Sequence, residues 1–415
     1  MKKKGLIVAL AGLMAFCSVS TVGRSTGVTA ATNSPFLTDW ISYNTEHIEK
    51  TRSIAGLTGD KATTDTTQWD VGGTDLGIPF TYTYEDAQGN EKTELRFVFG
   101  DTFTRLLKGN WRSNVMAIST DTDPSDGITI DSFVSTASDG KATALIDCIH
   151  QPQQENTAIP TGAVQVGDAI YLYYMGIRVW GDPGDWWNNL GGVYKSTDGT
   201  HFTRVESMYI YANKMWSATQ NYPKLIDEDR DGVIDYYYVY TLSHARASGL
   251  RCMRASLKDE QGNLLSGKEQ QAVIENLDNY EYFNGYNESG EPTWIKYNEY
   301  YMAFEWNYSE TNEVISAPCG EMSICWNPYL GKYMATYQQH NALVMRLADK
   351  PYGPFSKAEI IVTSADFASL YNAFTTETML KDNGKTVYFT MSQWIKDANG
   401  RNTDYLVRLM EMKLK

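Results

Sequence analysis

Cysteine is scarce in this chain of 415 residues, with only Cys17, Cys148, Cys252, Cys319 and Cys325. That excludes a scaffold built from disulfides. Cys319 and Cys325 are near enough in sequence to pair in a short loop, and free buried thiols are the equal alternative. Histidine is as rare, and no pair has the helical spacing of a zinc site. No Gly-x-Ser-x-Gly elbow exists for a serine nucleophile. His150, His201 and His340 therefore read as ordinary surface or strand residues. Neither a phosphate-binding glycine loop nor a dinucleotide fingerprint occurs, so no cofactor for catalysis is expected.

Positive charge is also short. Thirty-six Lys and Arg face fifty Asp and Glu, a net charge of −14. The first residues, "MKKKGLIVALAGLMAFCSVSTVG", read as a signal peptide ending near Ala30 or Ala31, with an apolar stretch too short for a comfortable membrane span. Its removal takes Lys2, Lys3, Lys4 and Arg24, and leaves residues 32–415 at −18. Such a chain repels phosphate backbones and anionic lipid, so neither nucleic acid nor membrane is expected as a partner. A secreted protein acting on a neutral polysaccharide fits, and a monomer is expected.

What is plentiful is aromatic strand. An apolar, β-branched stretch, a turn and a second strand recur in the same order. The pairs are "LRFVFGDTF" with "NVMAIST", "AIYLYYMGI" with "GGVYKSTDG", "DYYYVYTLS" with "GLRCMRASL", "KYMATYQQH" with "NALVMRLAD", and "TVYFTMSQW" with "DYLVRLMEM". Such strands between Gly, Asp and Asn turns predict an all-β, antiparallel protein. Five such units predict a five-bladed β-propeller in one domain, residues 32–415. A β-sandwich with look-alike hairpins is the alternative.

Hard oxygen ligands alternate in "DEDRDGVID". Asp227, Asp229, Asp231 and Asp235, with the backbone carbonyl of Val233, have the pattern of a Ca²⁺ loop, and Gly232 permits the turn. A strand rather than a helix follows, so the expected role is structural. An acidic turn without metal is the alternative.

Carboxylate chemistry is what remains. Asp75 in "GGTDLGIPF" and Asp101 in "RFVFGDTFTR" each stand where an apolar run meets glycine and threonine. Glycoside hydrolysis needs one carboxylic acid and one carboxylate across a single linkage. A turn role is the plain alternative for either residue alone. Eleven tryptophans and twenty-eight tyrosines suit stacking on sugar rings. The loop "IRVWGDPGDWWNN" presents Trp180, Trp186 and Trp187, either to a glycan or to rim packing.

The motifs "GGTDLGIPF", "FVFGDTF", "WRSNVMAIST", "IPTGAVQVGDAIYLYYMGIRVWGDPGDWWNNLGGVYKSTDG", "EMSICWNPYLGKYMATY", "KPYGPF" and "VYFTMSQW" run in order along the mature chain. Together they resemble the endo-D-arabinofuranase family of glycoside hydrolases. The resemblance implies a propeller that cleaves internal α-D-arabinofuranosyl linkages of D-arabinan, such as mycobacterial arabinogalactan or lipoarabinomannan. It implies Asp75 and Asp101 as the catalytic pair, Asp75 as general base and Asp101 as general acid, with an inverting outcome expected. Arg112, Asn114, Thr161, Trp180, Trp187, Asn221 and Glu321 follow as candidate substrate-binding residues, and Glu321 also as a carboxylate that tunes a pKa. For Arg112, Asn114, Thr161, Asn221 and Glu321 the alternative is a buried hydrogen-bonding residue holding sheets together. The sequence departs from the family in its insertions, notably residues 257–317, which are expected to rebuild the cleft walls. Another furanose polymer, or a propeller that only binds glycan, are the rival functions.

Overall fold

The computed structural model describes residues 34–212, 218–296 and 312–415, so the leader lies outside the described residues. Each of the five repeated strand pairs forms an antiparallel hairpin in the middle of its own sheet. They are Glu91–Phe99 with Val115–Ser119, Ala169–Trp180 with Trp186–Ser196, and Tyr236–Leu242 with Arg251–Ser256. Lys332–Gln339 with Ala342–Ala348 and Thr386–Lys396 with Asn402–Leu414 complete the set. The chain is thus all-β, in five separate sheets taken here in chain order as first to fifth.

A strand that the repeat pattern does not show precedes each pair. Leu76–Glu85, Thr157–Val166, Gln220–Ile226, Met322–Asn327 and Leu370–Phe374 open the five sheets. Each of these packs against the next in that order, and Leu370–Phe374 packs against Leu76–Glu85. The fifth sheet is completed by Ile48–Gly56, which pairs with Asn402–Leu414 and so ties the two ends of the fold together. Pairing covers an edge that would otherwise offer open hydrogen-bonding groups.

Packing between sheets is aromatic. Tyr173 and Tyr237, from the second and third sheets, are buried, and the Tyr237 hydroxyl donates to that of Tyr173 at 2.8 Å. Fully burying such a ring contributes about 2 kcal/mol, provided its hydroxyl finds a partner.

One expectation changes, and one open alternative is decided. The described part of the insertion at 257–317 does not wall a cleft. It supplies a short helix, Gly267–Ile274, with a Ser266–Glu269 capping box, and two strands that extend the third sheet at its outer edge. Cys319 and Cys325 are free and buried in different parts of the core.

Candidate active site

The two aspartate motifs are laid side by side by their own backbones. Phe103 N donates to Gly73 O at 2.8 Å, and Gly72 N donates back to Phe103 O at 3.0 Å. A Cβ on Gly73 would stand 2.1 Å from the Leu106 carbonyl oxygen, so only glycine permits this approach. The Thr74 and Thr102 hydroxyls meet across it at 2.7 Å.

Directly after Asp75 the chain leaves ordinary strand geometry. Leu76 and Gly77 have φ of 67° and 69°, and the register with the neighbouring strand shifts there, which makes a bulge. Three side chains of the fifth sheet hold this strained step: Ser392 Oγ accepts from Leu76 N at 2.8 Å, Thr390 donates to Gly77 O at 2.8 Å, and Asn372 donates to Leu76 O at 3.2 Å. A left-handed leucine persists only where surroundings over-determine it, and such strain clusters at functional sites. Here it re-aims Asp75.

Both carboxylates line one cleft of about 820 Å³. Tyr371, in the first strand of the fifth sheet, donates to Asp75 Oδ2 at 2.9 Å. Asp75 Oδ1 is buried against Gly100, where a Cβ would lie 2.4 Å away, and has no hydrogen-bond partner among the described residues. Asp101 instead faces the second sheet. Its Oδ1 accepts from Thr157 Oγ1 at 2.6 Å and from Trp111 Nε1 at 2.8 Å.

Burial pushes Asp75 up to about 7, and the like charge of Asp101 adds to the rise, against the Tyr405 and Tyr371 hydroxyls. Burial also raises Asp101, to about 6, opposed by Thr157, Trp111 and then His150. Two carboxyls lifted toward neutrality, side by side in a cleft, are suited to exchange protons with a bound molecule.

Of the other sequence candidates, Glu321, Thr161 and Trp180 line the same cleft. Glu321 takes a two-pronged contact from Arg246, Nε to Oε2 at 2.8 Å and Nη2 to Oε1 at 2.6 Å. Thr161 donates to the Asn221 carbonyl at 2.7 Å, and Asn221 itself is buried with its amide donating to Ala218 O. Trp180 and Trp187 are 43% and 44% exposed, at the tip of one hairpin of the second sheet. Trp187 meets His244 edge-on at 5.7 Å rather than the cleft. Arg112 and Asn114 also lie off the cleft. Arg112 donates to the Asp70 and Ala142 carbonyls, and Asn114 donates to Ala158 O while accepting from Leu145 N and Ile146 N. Their hydrogen bonds go mainly to backbone, with Arg112 Nη1 also 3.4 Å from the Asp70 carboxylate.

A protein-family model described as Domain of unknown function (DUF4185) matches residues 61–411, the stretch that carries every strand of this site. The chain belongs to the DUF4185 family. This DUF4185 chain is similar to the notoamide biosynthesis cluster protein J of Aspergillus sp. (strain MF297-2), 25% identical over 352 residues, 80% of this chain and 82% of that protein. In fold it is similar to a Bacteroides ovatus protein described as a candidate hydrolase, with a TM-score of 0.51, 11% identity, and coverage of 91% and 93% of the two chains. The catalytic domain of a GH62 α-L-arabinofuranosidase from Coprinopsis cinerea matches at a TM-score of 0.41 and 9% identity, over 88% of this chain and 95% of that one. The first likeness speaks to the fold alone, and the second is too weak to carry an argument.

Several residues of the DUF4185 site escaped sequence reasoning. Tyr371 sits in a five-residue strand too short to show a period. Arg246 lies in the loop "SHARASG", which carried no pattern. Trp111 stood beside residues that were singled out, in "WRSN". His150 and His340 looked ordinary. Yet the His150 ring lies 4.2 Å from that of Trp111, behind Asp101, and His340 lines the cleft.

The acidic loop joins the first two strands of the third sheet. Carboxylate oxygens of Asp227, Asp229 and Asp235 lie within 4.8 Å of one another, a set that fits a hard cation. Asp231 is outside that set and accepts from Val233 N at 2.8 Å. Lys258 is already paired with Asp235 and supplies one positive charge there.

Proposed function

We propose that this protein is a secreted, endo-acting glycoside hydrolase of α-D-arabinofuranosyl polymers, with inverting outcome, on a five-bladed β-propeller. One observation carries it: Asp75 and Asp101, both lifted well above the ordinary 3.8, share one open cleft. The motif resemblance selects the sugar. The five sheets, each touching the next through its first strand, support the propeller.

In the proposed reaction one carboxyl protonates the leaving glycosidic oxygen as its bond to the anomeric carbon breaks. The other takes a proton from the water that attacks that carbon from the opposite face. Like-charge repulsion favours Asp75 as acid and Asp101 as base, the reverse of the order the resemblance implied. Each carboxylate is opposed by two donors, but the charge of Asp101 adds to burial at Asp75, which therefore keeps its proton to higher pH.

Reducing-end release from mycobacterial arabinogalactan tests the proposal, with loss of activity expected in both Asp75→Asn and Asp101→Asn. Full activity in either variant rejects the pair. An L-arabinofuranose or galactofuranose polymer is the second reading, separated by a panel of furanosides. A glycan-binding protein without catalysis would show affinity and no product. Export of residues 32–415 as a monomer belongs to the same reading, supported by the lysine-led apolar leader and the acidic net charge. A structural Ca²⁺ at Asp227, Asp229 and Asp235 is proposed alongside it, with no part in the reaction.

A further inference from the structure

The two aspartates are braced from opposite sides. Asp75 is held by Tyr371, and its bulge by Ser392 and Thr390, all from the fifth sheet. Asp101 is held by Thr157, from the second sheet. The first sheet, which bears both carboxylates, packs against the second through Thr157–Val166 and against the fifth through Leu370–Phe374 and Thr386–Lys396. Each neighbour also lends tryptophan to the cleft wall, Trp180 and Trp186 from the second sheet and Trp394 from the fifth.

Trp394 is half-buried and fixed. Its Nε1 donates to Asn402 Oδ1 at 2.7 Å, its ring meets Tyr405 edge-on at 6.5 Å, and Lys396 Nζ lies 4.6 Å from the ring centre. Trp180 stands edge-on to buried Trp186 at 5.8 Å. Both indoles are thus pre-set, which lowers the entropy lost when a ring stacks on them. Tyr405 links the two halves of the arrangement, since it pairs with Trp394 across the strands and its hydroxyl acts on Asp75.

We propose that Trp180 and Trp394 are the two end platforms of one glycan track that crosses the carboxylate pair, with Trp394 beyond Asp75 and Trp180 beyond Asp101. A neutral oligosaccharide then lies over the first sheet with sugar rings on both flanks of the bond to be cut. The inference rests on the proposed glycosidase reading and deepens it by assigning Trp394, and by setting the direction of the chain across the sheets. A platform on each flank binds the interior of a polymer rather than its tip.

The test uses the full protein, Trp180→Ala and Trp394→Ala, and an arabino-oligosaccharide labelled at its reducing end. Each loss is expected to weaken binding about two- to tenfold. The main cut moves toward one end of the oligosaccharide in Trp180→Ala and toward the other end in Trp394→Ala. Hydrolysis with an unchanged cut in both variants, or with the cut moved the same way in both, overturns the track and leaves the glycosidase reading standing. An unmodified protein that neither cuts nor binds the oligosaccharide overturns both. Should a variant melt early, glycan affinity by tryptophan fluorescence below its melting temperature replaces the rate measurement, and unchanged affinity overturns the assignment of that residue.

Discussion

The Tyr371 hydroxyl reaches Asp75 Oδ2 at 2.9 Å although 296 residues separate them in the chain. One strand begins the first sheet and the other begins the fifth, so the contact exists only because those two sheets are neighbours. A phenol donating to a carboxylate favours the ionised form. Tyr371→Phe should therefore raise the Asp75 pKa further and move the alkaline limb of the rate profile upward. A limb that moves to lower pH contradicts the relationship.

The proposed reaction requires one carboxyl protonated and one ionised. With Asp101 pushed up to about 6 and Asp75 to about 7, kcat/KM should form a narrow bell with its maximum between those values. A neutral glycan substrate and a pH series from 4 to 9 (~1 unit apart, then finer) read this. A maximum near pH 4 would point to carboxyls with ordinary pKa values.

Stability should respond in the sense opposite to that of a salt-bridged acid. Asp75 is raised from 3.8 to about 7 on folding, so the unfolded chain releases that proton first as pH rises. Stability is then lost progressively between those two values. Asp75→Asn removes the burden, by a few kcal/mol at most, and should melt higher than the unmodified protein at pH 8 but not at pH 4, while losing activity. Paired thermal melts at the two values check it.

Gly100 leaves room for Asp75. Since a Cβ there would fall 2.4 Å from Asp75 Oδ1, Gly100→Ala must displace the carboxylate. Misplacing a reacting group by about 1 Å costs on the order of 10²-fold in rate. The loss should appear in kcat with the melting temperature little changed.

Arg246, partly exposed, and Glu321, buried, form an ion pair that lines the same cleft as the aspartates. Arg246→Met strands the Glu321 carboxylate and should destabilise the fold by about 3 kcal/mol. The double variant with Glu321→Gln should recover part of that loss in chemical denaturation. No recovery would mean that the pair is not coupled.

Added Ca²⁺ should raise the melting temperature of the chelator-treated protein, and Asp229→Asn should abolish the rise without changing kcat. An unchanged melting temperature would leave Lys258 as the countercharge at Asp235 among the described residues.

The chain alone made the five central hairpins legible, because aromatic and β-branched runs between turn residues need no distant partner to be recognised. It also singled out Asp75 and Asp101, since an aspartate where an apolar run meets glycine and threonine is visible locally, as is the motif resemblance around each. The first strand of each sheet was harder to read. Leu370–Phe374 has five residues, and Leu76–Glu85 begins in a bulge that breaks the alternation. Arg112 and Asn114 sat in a promising motif, and only packing reveals that they lie off the cleft and hydrogen-bond to Asp70, Ala142, Ala158 and the backbone at 145–146. Local sequence determines strand, turn and which carboxylates have room beside them. Which hydroxyl reaches Asp75, which indole reaches Asp101, and which of the two keeps the proton depend on sheets far apart in the chain meeting at one cleft, and burial there is a property of the assembled fold.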